Sequence, residues 1–241
     1  MFATAAVTAC VLALVPAPYG RHARPGWGPR IGTRAAWVAM EAPAAIVFAA
    51  AYALGPHPAR LVPCLLVALW EVHYAYRAFV YPFRLRVRAG ADTPVVTAAA
   101  GALFSTWNGW LNGLYLATWG QHLDAAWLGD PRFVVGVALF ATGTAINRWS
   151  DGILRGLRRP GEDGYRVPRG GPFRFVSAPN YLGEIVLWTG FAVASWSPAA
   201  AAFAAFTAAN LVPRALAHHG WYRRTFPDYP RERRALVPWL F

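Results

Sequence analysis

Residues 35–54 read AAWVAMEAPAAIVFAAAYAL, a run of 20 residues in which Glu41 is the only charged side chain. A helix needs roughly 20 apolar residues to cross the hydrocarbon core of a bilayer, and this run has that length. A carboxylate inside such a helix costs roughly 2.5–3.5 kcal/mol on insertion scales, so intramembrane charges usually face an interior site. The run predicts a membrane-spanning helix with an inward-facing glutamate.

Six further apolar runs have the same character. They lie at about 2–18, 61–81, 94–118, 133–149, 180–196 and 199–213. Only 14% of the residues are charged, against about 25% in soluble domains, which indicates lipid as the solvent. Seven spans use most of the 241 residues. The sequence therefore predicts an all-α bundle of seven transmembrane helices that forms one membrane domain over residues 1–241.

The basic residues predict the orientation of this bundle. All 23 are arginines, and 20 of them fall in four segments, 19–34, 82–93, 147–179 and 214–241. By the positive-inside rule, these segments are cytoplasmic and the N-terminus lies outside. The expected location is a bacterial inner membrane, or the endoplasmic reticulum membrane of a eukaryote. Because the arginines lie between apolar runs rather than on one soluble face, we expect membrane lipids and no nucleic acid as partners.

Glu41 and Tyr74 are predicted to lie at one depth in the bundle. Glu41 is about six residues from the cytoplasmic end of the helix at 35–54, and Tyr74 about seven from that of the helix at 61–81. At 1.5 Å per residue, both lie roughly 10 Å below the same surface. A carboxyl group beside a phenol can polarise the hydroxyl toward a substrate carbonyl. The alternative is a structural hydrogen bond between two helices.

Polar stripes at helical spacing predict a cationic, hydrogen-bonding mouth at the cytoplasmic boundary. Residues four apart share a helix face. The stripes and their neighbours are Asn147, Asp151 and Arg158; Asn180 and Glu184; Arg214, His218 and Tyr222; and Arg77, Arg88, Tyr165 and Arg166. Clustered arginines suit a ligand with several phosphates, whereas single arginines at helix ends commonly anchor to lipid headgroups.

Motifs of other ligand classes are absent from the sequence. Gly26-Trp27-Gly28 does not continue as G-x-G-x-x-G. His218 and His219 have no third ligand at a suitable spacing, so no metal site is predicted. A dinucleotide would have to bind within the helical bundle.

Four stretches resemble the steroid 5α-reductase family, the 3-oxo-5α-steroid 4-dehydrogenases. They read WVAMEAP at 37–43, HYAYRAFVY at 73–81, NRWSDGILRGLRRPGEDGYRVPRGGPFRFVSAPNY at 147–181 and HHGWYRRTFPDYPRERRALVPWLF at 218–241. The resemblance covers nearly the whole chain from Trp37 onward. The lysine-free, alanine-rich composition points to a bacterial member.

The resemblance implies a seven-helix reductase that encloses NADPH and reduces the Δ4 C=C bond of a lipophilic, steroid-like enone. We expect the protein to be a monomer. Glu41 and Tyr74 would be the catalytic pair that binds the C3 carbonyl. The implied cofactor residues, most of them in the part from about 147 to 241, are Arg77, Arg88, Asn147, Asp151, Arg158, Tyr165, Arg166, Asn180, Glu184, Arg214, His218 and Tyr222. The implied substrate pocket consists of Trp37, Phe104, Tyr181, Phe206 and Leu211.

Three other functions compete with this interpretation. A reductase of trans-2-enoyl thioesters or polyprenoid enones would share the C-terminal region and differ in the first 120 residues. A membrane methyltransferase that uses S-adenosylmethionine would not need so many arginines suited to phosphates. A transporter or lipid-binding protein would be expected to show inverted repeats, and the sequence shows none.

Overall fold

The computed structural model describes residues 1–14, 26–56, 60–87, 90–157 and 164–240, and helices dominate these ranges. The helices are α1 (Phe2–Leu14), α2 (Thr33–Ala53), α3 (Leu61–Ala75), α4 (Tyr81–Arg84), α5 (Val95–Thr118), α6 (Pro131–Gly156), α7 (Pro179–Ser195) and α8 (Pro198–Thr225). Seven of them match the seven predicted apolar runs, and the short α4 continues α3 after one irregular turn.

Two of the described helices, α2 and α8, are long and apolar enough to cross a membrane, and α1 is apolar but shorter. The helix α8 continues to Thr225, well beyond the end of its apolar run at residue 213. Its last turns are polar yet helical. A hydropathy pattern indicates which part of a helix lies among apolar groups, and it does not determine where the helix ends.

Glycines mark the closest approach of the antiparallel helices α6 and α7. A Cβ added to Gly183 would lie 2.5 Å from the main-chain nitrogen of Asn147 and 2.7 Å from the main-chain oxygen of Gly143. Toward the other end of the pair, Gly136 faces the main chain of Ala194. Small residues let the backbones of membrane helices approach closely. This contact brings the polar ends of α6 and α7 together.

The helices α2 and α5 form a second close pair. Gly109 of α5 lies against the main chain of Ala44, and Gly113 lies against that of Phe48. Because the residue numbers rise together along both helices, the two helices run parallel. Parallel packing agrees with the prediction that these two spans cross in the same direction.

A two-stranded antiparallel sheet joins the N-terminal ends of this pair. Strand β1 (Arg30–Gly32) precedes α2, and strand β2 (Asp92–Pro94) precedes α5. The Thr33 hydroxyl donates a hydrogen bond of 2.7 Å to the main-chain oxygen of Ala91. Strands of three residues are too short for an alternating pattern, so sequence analysis missed them.

A π-helical turn, Tyr76–Val80, interrupts the third apolar run. Pro82 has no N–H to offer the carbonyl of Ala78, so the α-helical hydrogen-bond ladder cannot continue unbroken here. The Tyr81 N–H bonds to Tyr76 O instead of Arg77 O. The freed Arg77 oxygen accepts a 3.1 Å hydrogen bond from Trp37 Nε1. The irregular turn thereby ties α2 to the end of α3.

Trp70 of α3 occupies the centre of the aromatic core. Its ring stacks on Phe48 of α2, with centroids 4.3 Å apart, and lies 4.9 Å from the ring of Trp188 on α7. Its Nε1 donates a 2.9 Å hydrogen bond to the main-chain oxygen of Ala44. These contacts fix α3 between α2 and α7.

Candidate active site

Arg77 lies between two carboxyl groups from different helices. Its Nη2 is 3.6 Å from Glu41 Oε1 on α2, and its Nη1 is 3.6 Å from Asp151 Oδ2 on α6. The guanidinium carbon also lies 5.1 Å from the ring centroid of Trp37 and 5.0 Å from that of Tyr81. A single arginine therefore joins α2, α4 and α6 through charge and aromatic contacts.

A second cluster surrounds Glu184 on α7. Its Oε1 lies 3.3 Å from His73 Nε2 and accepts a 3.2 Å hydrogen bond from Trp188 Nε1. Its Oε2 accepts a 2.9 Å hydrogen bond from Asn147 Nδ2, which also donates to the main-chain oxygen of Asn180. Both carboxylate oxygens therefore have partners, as a carboxylate in an apolar bundle requires.

Asn180 connects the two clusters, because its Nδ2 donates a 3.2 Å hydrogen bond to Asp151 Oδ1. The result is a continuous set of contacts that we call the buried polar network. It consists of Glu41, His73, Arg77, Asn147, Asp151, Asn180 and Glu184. The structure thus brings together two of the predicted stripes, and it does so through the glycine contact between α6 and α7.

Tyr74 lies beside this network. It is 5% exposed, and its ring lies 5.1 Å from that of His73. Glu41, Glu184 and Arg77 are near enough to interact electrostatically with its hydroxyl. The two predicted catalytic residues, Glu41 and Tyr74, therefore share one buried region. Within it, the Glu41 carboxyl group forms its ion pair with the Arg77 guanidinium.

The third predicted stripe lies on α8, where helical spacing places Arg214, His218 and Tyr222 on one face. His218 Nε2 lies 3.1 Å from the hydroxyl of Tyr181 on α7. Tyr222 is buried and stacks on Tyr229, with ring centroids 5.3 Å apart. This stripe therefore connects α7 and the C-terminal segment.

The remaining predicted cofactor residues lie at the surface or outside the described ranges. Tyr165 and Arg166 are exposed, and the Tyr165 ring contacts that of Trp221 on α8 at 5.2 Å between centroids. Arg88 and Arg158 fall among the residues that the structure does not describe.

The five predicted pocket residues lie on four helices, α2, α5, α7 and α8. Phe104 of α5 and Phe206 of α8 stack, with ring centroids 3.8 Å apart. Trp37 lies beneath the guanidinium of the network, and Tyr181 faces the histidine of α8. Leu211 is partly buried on α8, five residues after Phe206.

The residues present fit a nicotinamide cofactor. The network offers amide and carboxyl groups in an apolar interior, which are the donors and acceptors that a carboxamide matches. Arg77 Nε is buried and has no hydrogen-bond partner among the described residues. A buried donor without a partner costs roughly 1–3 kcal/mol, and an acceptor on a bound ligand would remove that cost.

Comparisons with known proteins identify the family of this chain. A family model described as 3-oxo-5-alpha-steroid 4-dehydrogenase matches residues 91–241. The chain is 45% identical over 225 residues to 3-oxo-5-alpha-steroid 4-dehydrogenase 1 of Macaca fascicularis, covering 92% of this chain and 84% of the relative. It is 43% identical over 230 residues to 3-oxo-5-alpha-steroid 4-dehydrogenase 2 of Homo sapiens, covering 94% and 89%. It is 38% identical over 244 residues to steroid 5-alpha-reductase DET2 of Arabidopsis thaliana, covering 97% and 91%.

The chain belongs to the 3-oxo-5-alpha-steroid 4-dehydrogenase family. The predicted resemblance is thereby confirmed. Members of this family are oxidoreductases that act on a CH–CH group, and this protein is one of them. The alignment with the Arabidopsis relative covers 97% of the chain, so the segments that carry Glu41 and Tyr74 lie inside it.

Sequence analysis missed two residues of this family member's site. His73, 4% exposed, precedes Tyr74 and lies four residues before Arg77, a spacing that could have placed it on the same face. Asn108 on α5 is fully buried near Tyr74, and its Nδ2 makes no hydrogen bond among the described residues. Its position 34 residues beyond Tyr74 carries no sequence signal, because only the packing of α5 on α2 brings it there.

Proposed function

We propose that this protein reduces the Δ4 C=C bond of 3-oxo-Δ4 steroids with NADPH. The observation that supports this most directly is the burial of Tyr74 beside Glu41 and Arg77 in a member of this family. The relatives are named as 4-dehydrogenases of 3-oxo-5-alpha-steroids, and the reverse of that reaction is the reduction of a 3-oxo-Δ4 steroid, so we carry this substrate class over to this chain.

The chain's own groups would act on the carbonyl end of the enone. A hydride added to C5 leaves negative charge on the C3 oxygen, and the Tyr74 O–H would donate a hydrogen bond to that oxygen. Glu41 would bind the same oxygen, as a second donor when its carboxyl group carries a proton. Preorganised donors in a water-excluded site stabilise such charge strongly, and losing one costs about 10²–10³ in kcat. C4 then takes a proton from water or from Tyr74.

NADPH would supply the hydride when bound. Asn180 and Glu184 would hold its carboxamide, so that one face of the ring meets the enone. Asn147, Asp151, Arg77, Arg214, His218 and Tyr222 would surround the rest, with Tyr165, Arg166, Arg88 and Arg158 toward the phosphates. Phe104 and Phe206 would form one flat apolar wall, with Trp37, Tyr181 and Leu211 around it.

We propose further that seven helices cross the membrane, with the N-terminus outside and the C-terminus and cofactor site facing the cytoplasm. The polar ends of α6, α7 and α8 and the arginine-rich segments support this orientation. We expect one membrane domain and a monomer, in the inner membrane if the source is bacterial.

The test is NADPH oxidation by the detergent-purified protein with progesterone or testosterone. Glu41→Gln and Tyr74→Phe are compared with the wild type and with Ser195→Ala, which removes a buried hydroxyl bonded within α7 at the far end of the helix. We expect the 4,5-dihydro product from the wild type and the control, and a kcat about 10²–10³ lower in both site variants with NADPH affinity retained. Binding of NADPH without turnover of either steroid would move the substrate to an enoyl thioester or polyprenal. Failure to bind NADPH would overturn the proposal and favour the methyltransferase.

A further inference from the structure

The two residues that lead into α7 are bonded to the C-terminal segment, residues 226–240. The main-chain nitrogen of Ser177 donates a 2.8 Å hydrogen bond to the main-chain oxygen of Arg234, and that of Ala178 donates a 3.1 Å hydrogen bond to Ala235. Ala178 is the residue before the helix, and its side chain has no oxygen that could cap the first turn. The start of α7 is therefore positioned by the C-terminal segment and not by a side-chain cap of its own.

Three groups meet at the side-chain oxygen of Ser177, which is 4% exposed. Its Oγ lies 2.7 Å from His219 Nδ1 on α8, 2.6 Å from the Tyr229 hydroxyl and 3.0 Å from the main-chain oxygen of Arg234. A carbonyl oxygen can only accept, so the one hydrogen of the Ser177 hydroxyl points to Arg234. His219 and Tyr229 must then both donate to Oγ, and the His219 ring carries a hydrogen on Nδ1. Every hydrogen-bonding position of this hydroxyl is therefore occupied.

The phenol that donates to Ser177 is itself held in place. Tyr229 is buried, and its ring stacks on that of Tyr222 with an angle of 9° between the planes. The guanidinium carbon of Arg233 lies 5.0 Å from the centroid of the same ring, and Arg233 Nη1 donates a 3.1 Å hydrogen bond to the main-chain oxygen of Pro168. These contacts fix the direction in which the Tyr229 hydroxyl points.

A short and stiff piece of chain connects Ser177 to the buried polar network. Asn180 follows three residues later, in the first turn of α7, and its Nδ2 donates to Asp151 while its main-chain oxygen accepts from Asn147. Pro179 lies between them, and its ring locks the φ angle at that position. A displacement of Ser177 is therefore passed on to the side-chain amide of Asn180.

We propose that Ser177 is a positioning residue for the cofactor: as the common acceptor of His219 and Tyr229, it holds the first turn of α7 so that Asn180 meets the nicotinamide carboxamide. Ser177 acts through Asn180, and the C-terminal segment acts on the cofactor site through Ser177. This inference rests on the proposed function, in which Asn180 and Glu184 hold the carboxamide.

The test compares two ligands that differ in the nicotinamide. NADPH carries the carboxamide, and 2′-phospho-ADP-ribose carries the same phosphates and adenosine without the nicotinamide ring. In the detergent-purified protein, Ser177→Ala and Tyr229→Phe should each weaken NADPH binding about threefold to tenfold, because one hydrogen bond contributes about that factor. Neither variant should change the affinity for 2′-phospho-ADP-ribose. Ser195→Ala removes a buried hydroxyl at the other end of α7 and should bind both ligands as the wild type does.

Two further variants check the hydrogen bond itself. Ser177→Thr keeps the hydroxyl and should keep the NADPH affinity. On the Ser177→Ala background, Tyr229→Phe should cause no further loss, because both changes remove the same contact.

The outcomes separate this inference from the proposed function. Equal losses of affinity for both ligands would show that Ser177 only supports the fold, and the inference would be wrong. Unchanged NADPH affinity in Ser177→Ala and Tyr229→Phe would also overturn the inference and would leave the proposed function intact. Failure of the wild type to bind NADPH would overturn the proposed function and this inference with it. Because the measured quantity is cofactor affinity, the test decides the role of Ser177 even if neither steroid is turned over.

Discussion

Replacing Arg77 with Met should destabilise the protein more than any replacement of a surface arginine. Methionine fills a similar volume but leaves Glu41 and Asp151, each now 3.6 Å from the guanidinium, without their shared cation. Breaking a buried ion pair by removing one partner costs about 3–5 kcal/mol, because the remaining charge has no compensation. The loss of the contacts with the Trp37 and Tyr81 rings adds to this cost.

The expected change can be measured as a thermal midpoint in detergent. For chains of 150–250 residues, 1 kcal/mol shifts Tm by about 2–4 °C, so the ionic contribution alone predicts a decrease of about 6–20 °C. Arg77→Lys should fall between the wild type and Arg77→Met, because it keeps the charge but loses the planar fork and the ring stacking. Tryptophan fluorescence follows the transition.

A triple variant provides the control. In Arg77→Met combined with Glu41→Gln and Asp151→Asn, no uncompensated charge remains, and neutral replacement of a buried ion cluster is often close to neutral in stability. We therefore expect the triple variant to recover most of the lost Tm. The reasoning is refuted if Arg77→Met melts within about 2 °C of the wild type, or if the triple variant is no more stable than Arg77→Met.

Two further predictions concern packing and pH. Gly183→Ala should lower Tm, because the added Cβ would lie 2.5 Å from the main-chain nitrogen of Asn147 and overpacking costs about 1–3 kcal/mol. Gly156→Ala is the matched control and should not lower Tm, because the space around Gly156 is open. An undiminished Tm for Gly183→Ala would show that α6 and α7 can move apart. Outside the membrane-spanning segments, the hydrogen bonds from Arg132 to Asp130 lower the pKa of that carboxyl group from 3.8 to about 2. Because the folded pKa is depressed, the stabilisation is complete above about pH 4 and is lost as pH falls through 2. The difference in Tm between the wild type and Asp130→Asn should therefore be constant at neutral pH and disappear toward pH 2, and a difference that persists there would contradict the charge-based origin.

Hydropathy and helical spacing predicted most of the helices and part of the site. Each of the seven apolar runs contains a helix among its described residues, and Asn147 and Asp151 meet Asn180 and Glu184 as their spacing required. The π-helical turn at Tyr76–Val80 could not be predicted from hydropathy. It depends on a proline that withholds one N–H and on a tryptophan from another helix that bonds to the freed carbonyl.

The relation between Glu41 and Tyr74 shows the limit of reasoning from depth alone. Equal depth predicted that the two side chains lie in the same region, and Tyr74 does lie beside the buried polar network that contains Glu41. Depth in the membrane cannot tell which of the side chains at one depth contact each other, and Glu41 forms its ion pair with Arg77. The rotation of α3 about its axis decides that choice, and the aromatic packing of Trp70 sets this rotation.

The two close helix pairs explain why one buried network can include residues from α2, α3, α6 and α7. Each pair is held at main-chain distance by glycines, so the positions of Glu41 on α2 and of Asp151 and Glu184 on their helices depend little on side-chain packing. The helix α3 lies between the pairs, and it and the turn that follows carry His73 and Arg77, whose side chains face these carboxyl groups. A rotation of α3 by one residue would therefore remove both contacts at once while leaving the pairs intact. The ion pairs of the network thus help to position the helix that carries Tyr74, so residues proposed to bind the cofactor also orient the residue proposed to react.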